Sequence, residues 1–300
     1  MEHEQRVLYC PAAMEFRRPL QSAREIMRFA ALHLGPVERF ERRAAAVPRC
    51  ATEHRVVFSL TTTPDRIAGI IPTLSSLLDQ TCGADDIYLN IPRHSLRHRC
   101  GYEIPPSLAA ISSLTVAHCE RDWGPATKLI PTLQRETDPN TLIVVVDDDQ
   151  VYPRCMLETF VAFSQELPET ALCSRGFRVP PGLDHAQRGT IYGTGIHSAQ
   201  DVEVMQGSAG FLVRPRFFTP EFFDYEAAPE SAFFCDDIWI AGHLARNQVR
   251  RLVIPFGNAF SRIETRTARR TRSLCHNENR DQSNNNSMYR YFQSDWKSCD

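Results

Sequence analysis

Three adjacent carboxylates, Asp147, Asp148 and Asp149, close the most apolar run of the chain, in the segment IVVVDDDQVYP. Like charges side by side repel and cost stability unless a cation or hydrogen-bond donors compensate. Mg2+ and Mn2+ take oxygen ligands and commonly bridge protein carboxylates to substrate phosphates. The triplet is therefore the first candidate for chemistry, as a divalent-cation site made by Asp147 and Asp149. Alternation along an extended chain projects those two to one side and Asp148 to the other, unless the chain turns. An Asp-rich turn with a helix N-cap is the competing account. A second acidic pair, Asp236 and Asp237 in FFCDDIWIAGHLA, precedes apolar residues at helical spacing from Ile238 to Leu244. Carboxylates are favoured at a helix start on electrostatic grounds alone, so capping competes there as well.

The elements that must position these groups alternate in kind. VVFSL (Val56–Leu60) reads as a buried strand, and Ile67–Leu78 as a helix after the Pro64 turn. DIYLNI (Asp86–Ile91) and LTVAHC (Leu114–Cys119) are further strands, followed by a helix over Ala126–Arg135. TLIVVV (Thr141–Val146) is apolar on both faces, as the centre of a parallel sheet requires. This rhythm predicts an α/β, doubly wound, mainly parallel central sheet with flanking helices. Ligands of such sheets sit beyond the carboxyl ends of the strands, which points to Thr61, Thr62, Thr63, to Asn90 and to Asp147–Asp149.

The ends of the chain differ from this middle. Residues 1–54 are expected to form a helical extension, with helical spacing over Ala23–Leu34 and an Arg- and Glu-dense piece over Val37–Ala46. Its face either packs on the domain or makes a peripheral membrane contact. Residues 55–260 form the regular domain, and residues 261–300 a polar Arg/Asn-rich tail. Within that tail NENRDQSNNNS (Asn277–Ser287) reads as mobile, and the closing MYRYFQSDW docks aromatic residues back onto the domain.

Composition excludes several classes. Of 300 residues, 42% are hydrophobic and 23% charged, enough apolar content for a packed core. A net charge of -2 gives no global drive toward nucleic acid. From Arg246 to Arg272 the arginines 246, 250, 251, 262, 266, 269, 270 and 272 face Glu264 alone, which is either a solvated face or an anion site. No aromatic platform interleaves them, so no nucleic-acid partner is expected. The 10 cysteines show no C-x-x-C pair and no zinc spacing; their even count leaves a disulfide-bonded, lumenal chain open, but without regular framework spacing a reduced, cytoplasmic chain is expected. No run approaches 18 apolar residues, and the first twenty residues lack a signal-peptide pattern. A lumenal location would apply if an anchor had been trimmed away.

The D-x-D triplet after an apolar strand resembles that of glycosyltransferases of the GT-A type. VVFSLTTTPDRI with its helix is similar to the first βα unit of their family-2-like members, and RDWGPATKLIP (Arg121–Pro131) to a segment of a small group of them. QGSAGFLVRPRFF resembles the glycine-containing loop ahead of their catalytic carboxylate, with Gly207 and Gly210 allowing close approach to a sugar. FFCDDIWIAGHLA resembles their x-E-D segment, with Asp236 in the Glu position and Asp237 in the Asp position. The resemblance spans roughly residues 55–260.

It implies a metal-dependent, inverting, non-processive transfer of a sugar from a nucleotide-sugar, a UDP-sugar by analogy, to a glycan or other hydroxyl acceptor. Asp147 and Asp149 would hold Mn2+ or Mg2+, with Asp148 supporting the ligands or touching ribose. Thr61–Thr63 and Arg66 would line the nucleotide pocket, and Lys128 would meet the diphosphate. Asp237 would act as general base, with Asp236 beside it. Trp239, Trp123 or Tyr192 would stack on an acceptor sugar. Two departures stand out: the Q-x-x-R-W motif is absent, and only His276 matches the late metal-binding histidine of many such enzymes. A non-catalytic binding protein of the same fold and a nucleotidyltransferase are the alternatives. The second usually carries a glycine-rich signature after the first strand, which SLTTTPDR lacks.

Overall fold

The computed structural model describes residues 19–109, 111–257, 263–265, 274 and 277–296. The strands are β1 (Val56–Thr61), β2 (Asp86–Pro92), β3 (Leu114–Cys119), β4 (Leu142–Val145), β5 (Gln150–Val151), β6 (Thr170–Cys173) and β7 (Arg175–Phe177), then β8 (Thr190–Tyr192), β9 (Gln200–Asp201), β10 (Val204–Met205), β11 (Phe211–Val213), β12 (Arg250–Val253) and β13 (Ile263–Glu264). The helices are α1 (Pro19–Leu34), α2 (Val37–Ala46), α3 (Ile71–Leu78), α4 (Pro106–Ala109), α5 (Ile130–Arg135), α6 (Met156–Glu166), α7 (Asp236–Arg246) and α8 (Ser283–Tyr291).

An eight-stranded sheet in the order β3-β2-β1-β4-β11-β6-β12-β9 forms the centre. Strands β3, β2, β1 and β4 all pair in parallel, as does β6 with β12. Strand β11 runs antiparallel between β4 and β6, and β9 caps the far edge in the same sense. The expected α/β architecture with a mainly parallel sheet is what is observed.

Alternation along the central strands feeds two separate cores. Val56, Phe58 and Leu60 of β1, with Leu142 and Val144 of β4, meet Leu32 of α1, Phe40 of α2, Leu74 of α3 and Phe160 of α6. Val57, Ile143 and Val145 point the other way, into Ile130 of α5, Trp239 of α7, and Tyr289 and Phe292 at the end of α8. Helices therefore cover both faces, which is why β4 carries no polar side chain.

Several sequence expectations change in detail. The helix over 67–78 is a 3-10 turn (Ile67–Gly69) followed by α3, and that over 126–135 is a 3-10 turn (Gly124–Lys128) followed by α5. A proline near the start of α3 and another near the start of α5 suit a first turn but not a helix interior. The segment from Asn277, expected to be mobile, is tied down: Asn279 donates to the Phe234 carbonyl at 2.8 Å, and Asn285 is buried against the Cys235 thiol. Asparagine satisfies main-chain and side-chain groups without bringing charge into the core. Cys50 and Cys82 form a disulfide, which corrects the expectation of reduced cysteines at that pair. Such bonds persist mainly in oxidising compartments, so the cysteines no longer support a cytoplasmic reading. Among the described residues, no helix is long and apolar enough to cross a membrane.

Candidate active site

A cleft of about 460 Å³ opens at the carboxyl ends of β1 and β4. Four pieces of chain frame it: Thr61–Thr63 after β1, the 3-10 turn Gly124–Lys128, the Asp147–Asp149 turn after β4, and the first turn of α7. Strand β4 ends at Val145, and the chain turns immediately afterwards. That turn separates the triplet differently from simple alternation. Asp147 goes to one side, whereas Asp148 and Asp149 share Arg66: the Arg66 guanidinium meets Asp148 at 3.1 Å and pairs closely with Asp149.

Asp148 is the anchor of the turn. Thr62 donates to its carboxylate at 2.5 Å, and Thr73 of α3 donates to its main-chain carbonyl at 2.7 Å. It is only 7% exposed, so little of it reaches a ligand. Burial pushes its acid up to about 7, with Arg66 opposing the rise and Asp149 adding to it. Tyr152, five residues on and wholly buried, accepts from the Asp147 N–H at 2.8 Å. Sequence reasoning missed Tyr152, although the Tyr after the triplet in DDDQVYP was its signal.

On the other side lies a lysine surrounded by acid. Lys128 Nζ stands 2.8 Å from Asp147, 2.7 Å from Asp236 and 3.7 Å from Asp237, with its side chain 5% exposed. Burial alone would lower its pKa, but the three carboxylates outweigh that and hold it well above the usual lysine range. Gly207 N–H donates to Asp237 at 3.0 Å. A Cβ on Gly207 would fall 2.2 Å from Lys128 Nζ, so any larger residue there would displace the lysine ammonium from its present place among the carboxylates. Asp237 keeps 30% exposure to the cleft, yet burial of its surroundings and then Asp236 push its acid up to about 7 against the pull of Lys128.

The structure thus brings together Thr61, Thr62, Thr63, Arg66, Lys128, Asp147, Asp148, Asp149, Asp236 and Asp237 around one cleft, with Gly207 directly behind it. Others fall elsewhere. Asn90 is fully buried and donates to Ser59 and Thr132 at 3.1 and 2.9 Å, so it fastens β2 to β1 and α5 instead of facing a ligand. Gly210 does not line the cleft; its φ of +88° serves the turn into β11. Trp239 is core, donating to the Phe222 carbonyl at 3.2 Å, and Trp123 is 8% exposed. Tyr192 is 50% exposed but lies outside the cleft lining. His276 lies outside the described residues. So do Arg262, Arg266, Arg269, Arg270 and Arg272 of the arginine-rich stretch. Of the remaining three, Arg246 pairs with Asp295 and Arg250 with Asp201, while Arg251 is buried.

Apart from Gln206, which opens the QGSAGF loop, the wall beyond Asp237 had no sequence signal. Gln206 is joined to Arg175 by a main-chain bond of 3.0 Å, and both line the cleft with Arg188 and His185. Gln206 Oε1 and Arg188 Nε are buried without hydrogen-bond partners among the described residues. An acceptor and a donor left unused in one concave wall suit a ligand rich in hydroxyls.

Among the described residues, no three or more His, Cys, Asp or Glu side chains form a ready cage for a metal. Mg2+ seldom needs one: it usually binds through one or two carboxylates and completes its shell with substrate phosphates and water. Asp147 and Asp149, 30% and 21% exposed and on one cleft, have the hard oxygen donors for that mode.

No protein-family model matches the chain, and no curated protein matches it. Solved structures do. A mannosyltransferase from Pyrobaculum calidifontis, in complex with GDP-Man and Mn2+, is 16% identical over 78% of this chain and 66% of its own, with a TM-score of 0.42. GalNAc-T7 with UDP, GalNAc and Mn2+ is 10% identical over 81% and 51%, with a TM-score of 0.47. TarS 1–349 of S. aureus is 15% identical over 66% and 58%, with a TM-score of 0.41. This chain spans roughly half to two thirds of the length of those proteins. The likeness is one of chain fold, and the site stands on its own geometry.

Proposed function

We propose that the protein is a metal-dependent glycosyltransferase that moves a sugar from a nucleotide-sugar donor to a hydroxyl acceptor, with inversion and without processivity. The observation that carries this reading is the Lys128 bridge, which ties the Asp147–Asp149 turn to the Asp236–Asp237 pair across one cleft. A donor-phosphate side and a proton-accepting side are thereby held at fixed separation by one buried cation. Asp147 and Asp149 would hold Mn2+ or Mg2+, which would supply positive charge to offset that developing on the nucleoside diphosphate.

The chain's own residues perform the rest. Thr61, Thr63 and Arg66 frame the donor side, where guanidinium and hydroxyl groups suit a diphosphate. Asp237 takes the proton of the acceptor hydroxyl; its poise near neutrality matches that task. The acceptor oxygen then bonds to the anomeric carbon as the bond from that carbon to the diphosphate oxygen breaks, its electron pair leaving with the diphosphate. One base on one side of the sugar gives inversion. Gln206 and Arg188 meet the acceptor. The donor nucleotide proposed from the family resemblance is UDP.

The test is thermal stabilisation by UDP-, GDP- and CDP-sugars with Mn2+ or with EDTA, alongside a transfer assay. A ligand that binds only the folded state raises the midpoint according to its affinity. Asp149→Ala is expected to abolish the Mn2+-dependent shift. Asp237→Asn should keep the shift and lower kcat by about 10²–10⁴. Normal transfer by Asp237→Asn overturns the base assignment, and no shift with any donor in the folded protein overturns the whole reading.

A further inference from the structure

The outer face of α1 is inverted for a helix of a water-soluble domain. Its inner side is conventional: Leu32 is fully buried, and Phe29 and Ala31 pack against the core. From Ala23 on, where its side chains are described, its exposed positions are Ala23, Arg24, Ile26, Met27, Ala30 and Leu34. At about 100° per residue, the five apolar ones fall within an arc of about 100°. Ile26 is 69% exposed, Met27 63% and Leu34 76%. Only three other large apolar side chains among the described residues are exposed, Leu96, Tyr192 and Tyr291, and none lies on α1. Single exposed apolar residues are ordinary, but a contiguous stripe marks a surface that meets something.

Charge beside the stripe identifies the occupant. A groove between α1 and α2 is lined by Arg24, Arg28, Arg39, Arg43 and Arg154, with Glu25 and Asp79 the only carboxylates in its wall among the described residues and Met27 at its lip. Asp79 is 2% exposed and already engaged by Arg28, Arg43 and Arg154. Arg24 and Arg39 remain exposed at the rim. Apolar side chains flanked by surplus arginine match a bilayer surface, acyl chains against the stripe and anionic headgroups against the groove. A second copy docking by the same face would set arginine against arginine.

We propose that α1 with the arginine groove beside it is a docking surface for an anionic membrane. The groove and the active-site cleft share no lining residue. Helix α3 joins the two regions: Asp79 at its carboxyl end holds the arginines, and Thr73 near its start holds the Asp148 carbonyl. The six residues from Thr73 to Asp79 put about 9 Å between them along the helix.

Sedimentation of the full chain with phosphatidylcholine–phosphatidylserine vesicles, against phosphatidylcholine alone, tests the proposal. Binding is expected to the anionic vesicles only, and to weaken as salt is raised. The triple variant Ile26→Ser/Met27→Ser/Leu34→Ser and the double variant Arg24→Glu/Arg39→Glu should each lower partition roughly tenfold. Thermal midpoint and sugar transfer in solution should stay as in the parent, because none of these side chains reaches the core or the cleft. No partition into the anionic vesicles, or partition indifferent to both variants, overturns the proposal. So does a variant that shifts the oligomeric state while leaving partition unchanged, which would make a second copy the occupant.

Discussion

Two ion clusters tied to opposite ends of α3 are near mirror images in charge. Around Lys128 stand three carboxylates, Asp147, Asp236 and Asp237; around Asp79 stand three guanidiniums, of Arg28, Arg43 and Arg154. The central side chains are equally hidden, Lys128 at 5% exposure and Asp79 at 2%. Counting full charges, the first cluster carries a surplus of two negative charges and the second a surplus of two positive ones. The difference lies in how each surplus is dispersed. Arginines reach outward on long stems, and Arg43 and Arg154 are 45% and 40% exposed. Short aspartates cannot swing away, and theirs is confined to a concave cleft. Surplus charge that cannot relax into water calls for a counter-ion, which is why the Lys128 cluster reads as a reaction site and the Asp79 cluster as a fastening with a surface role.

The largest expected effect follows from removing the centre of the acidic cluster. Lys128→Met leaves Asp147, Asp236 and Asp237 facing one another with no cation among them. Breaking a buried ion pair from one side costs about 3–5 kcal/mol, measured as a lower unfolding free energy in urea. Adding Asp236→Asn in the same background should recover part of the loss. A Lys128→Met change costing under about 1 kcal/mol, within the range of an exposed pair, would show that the carboxylates already relax by themselves, and the contrast between the clusters would collapse.

How far these clusters were legible in the sequence follows from the same geometry. The apolar runs of β1 and β4 announced a buried parallel sheet, because a strand covered on both faces needs no alternation. Asp147–Asp149 and Asp236–Asp237 stood out because acids next to apolar runs are costly without a purpose. Lys128 reads from sequence as a phosphate ligand but not as the bridge, because its partners lie 19, 108 and 109 residues away and only folding brings them near. Asn90 misled because a strand's last side chains point alternately to ligand edge and core, and one residue of register decides which. Asp79 carried no signal: it closes a helix of eight residues, and its arginines come from α1, α2 and the segment before α6. The polar segment from Asn277 looked mobile because its hydrogen-bond partners, Phe234 and Cys235, are remote in sequence.

A buried group with no ion partner at all sharpens the comparison, at intermediate size. His243 of α7 is 1% exposed, ringed by Trp239, Phe222 and Phe292, and neither ring nitrogen has a hydrogen-bond partner among the described residues. Burial, and then Arg246, lower its pKa from 6.5 to about 4. The unfolded chain takes up a proton at this site near pH 6.5, whereas the folded chain resists until about pH 4. Stability from this group is therefore complete above pH 6.5 and lost progressively as pH falls toward 4. At pH 5 the loss comes to about 2 kcal/mol from this residue. His185, lowered to about 4 chiefly by burial, adds to it in the same direction. Thermal unfolding at pH 7 and pH 5 measures the fall, and His243→Leu should flatten it. An unchanged pH slope in His243→Leu would assign the acid sensitivity elsewhere.

The smallest effect is expected at the basic cluster. Asp79→Asn removes the central charge but keeps an amide that can still accept from Arg28, now at 2.7 Å from the carboxylate. Arg43 and Arg154 need only rotate into solvent they already touch, so the repulsion left behind is screened. The cost should be about 1–2 kcal/mol, borne by the docking of α1 and α2, with the Mn2+-dependent donor shift and kcat unaltered because Thr73 still holds the Asp148 turn. If Asp79→Asn matches Lys128→Met in cost, dispersal of charge into water does not distinguish the clusters. If it lowers transfer, the two ends of α3 are coupled, and the arginine groove bears on the reaction as well as on the surface it faces.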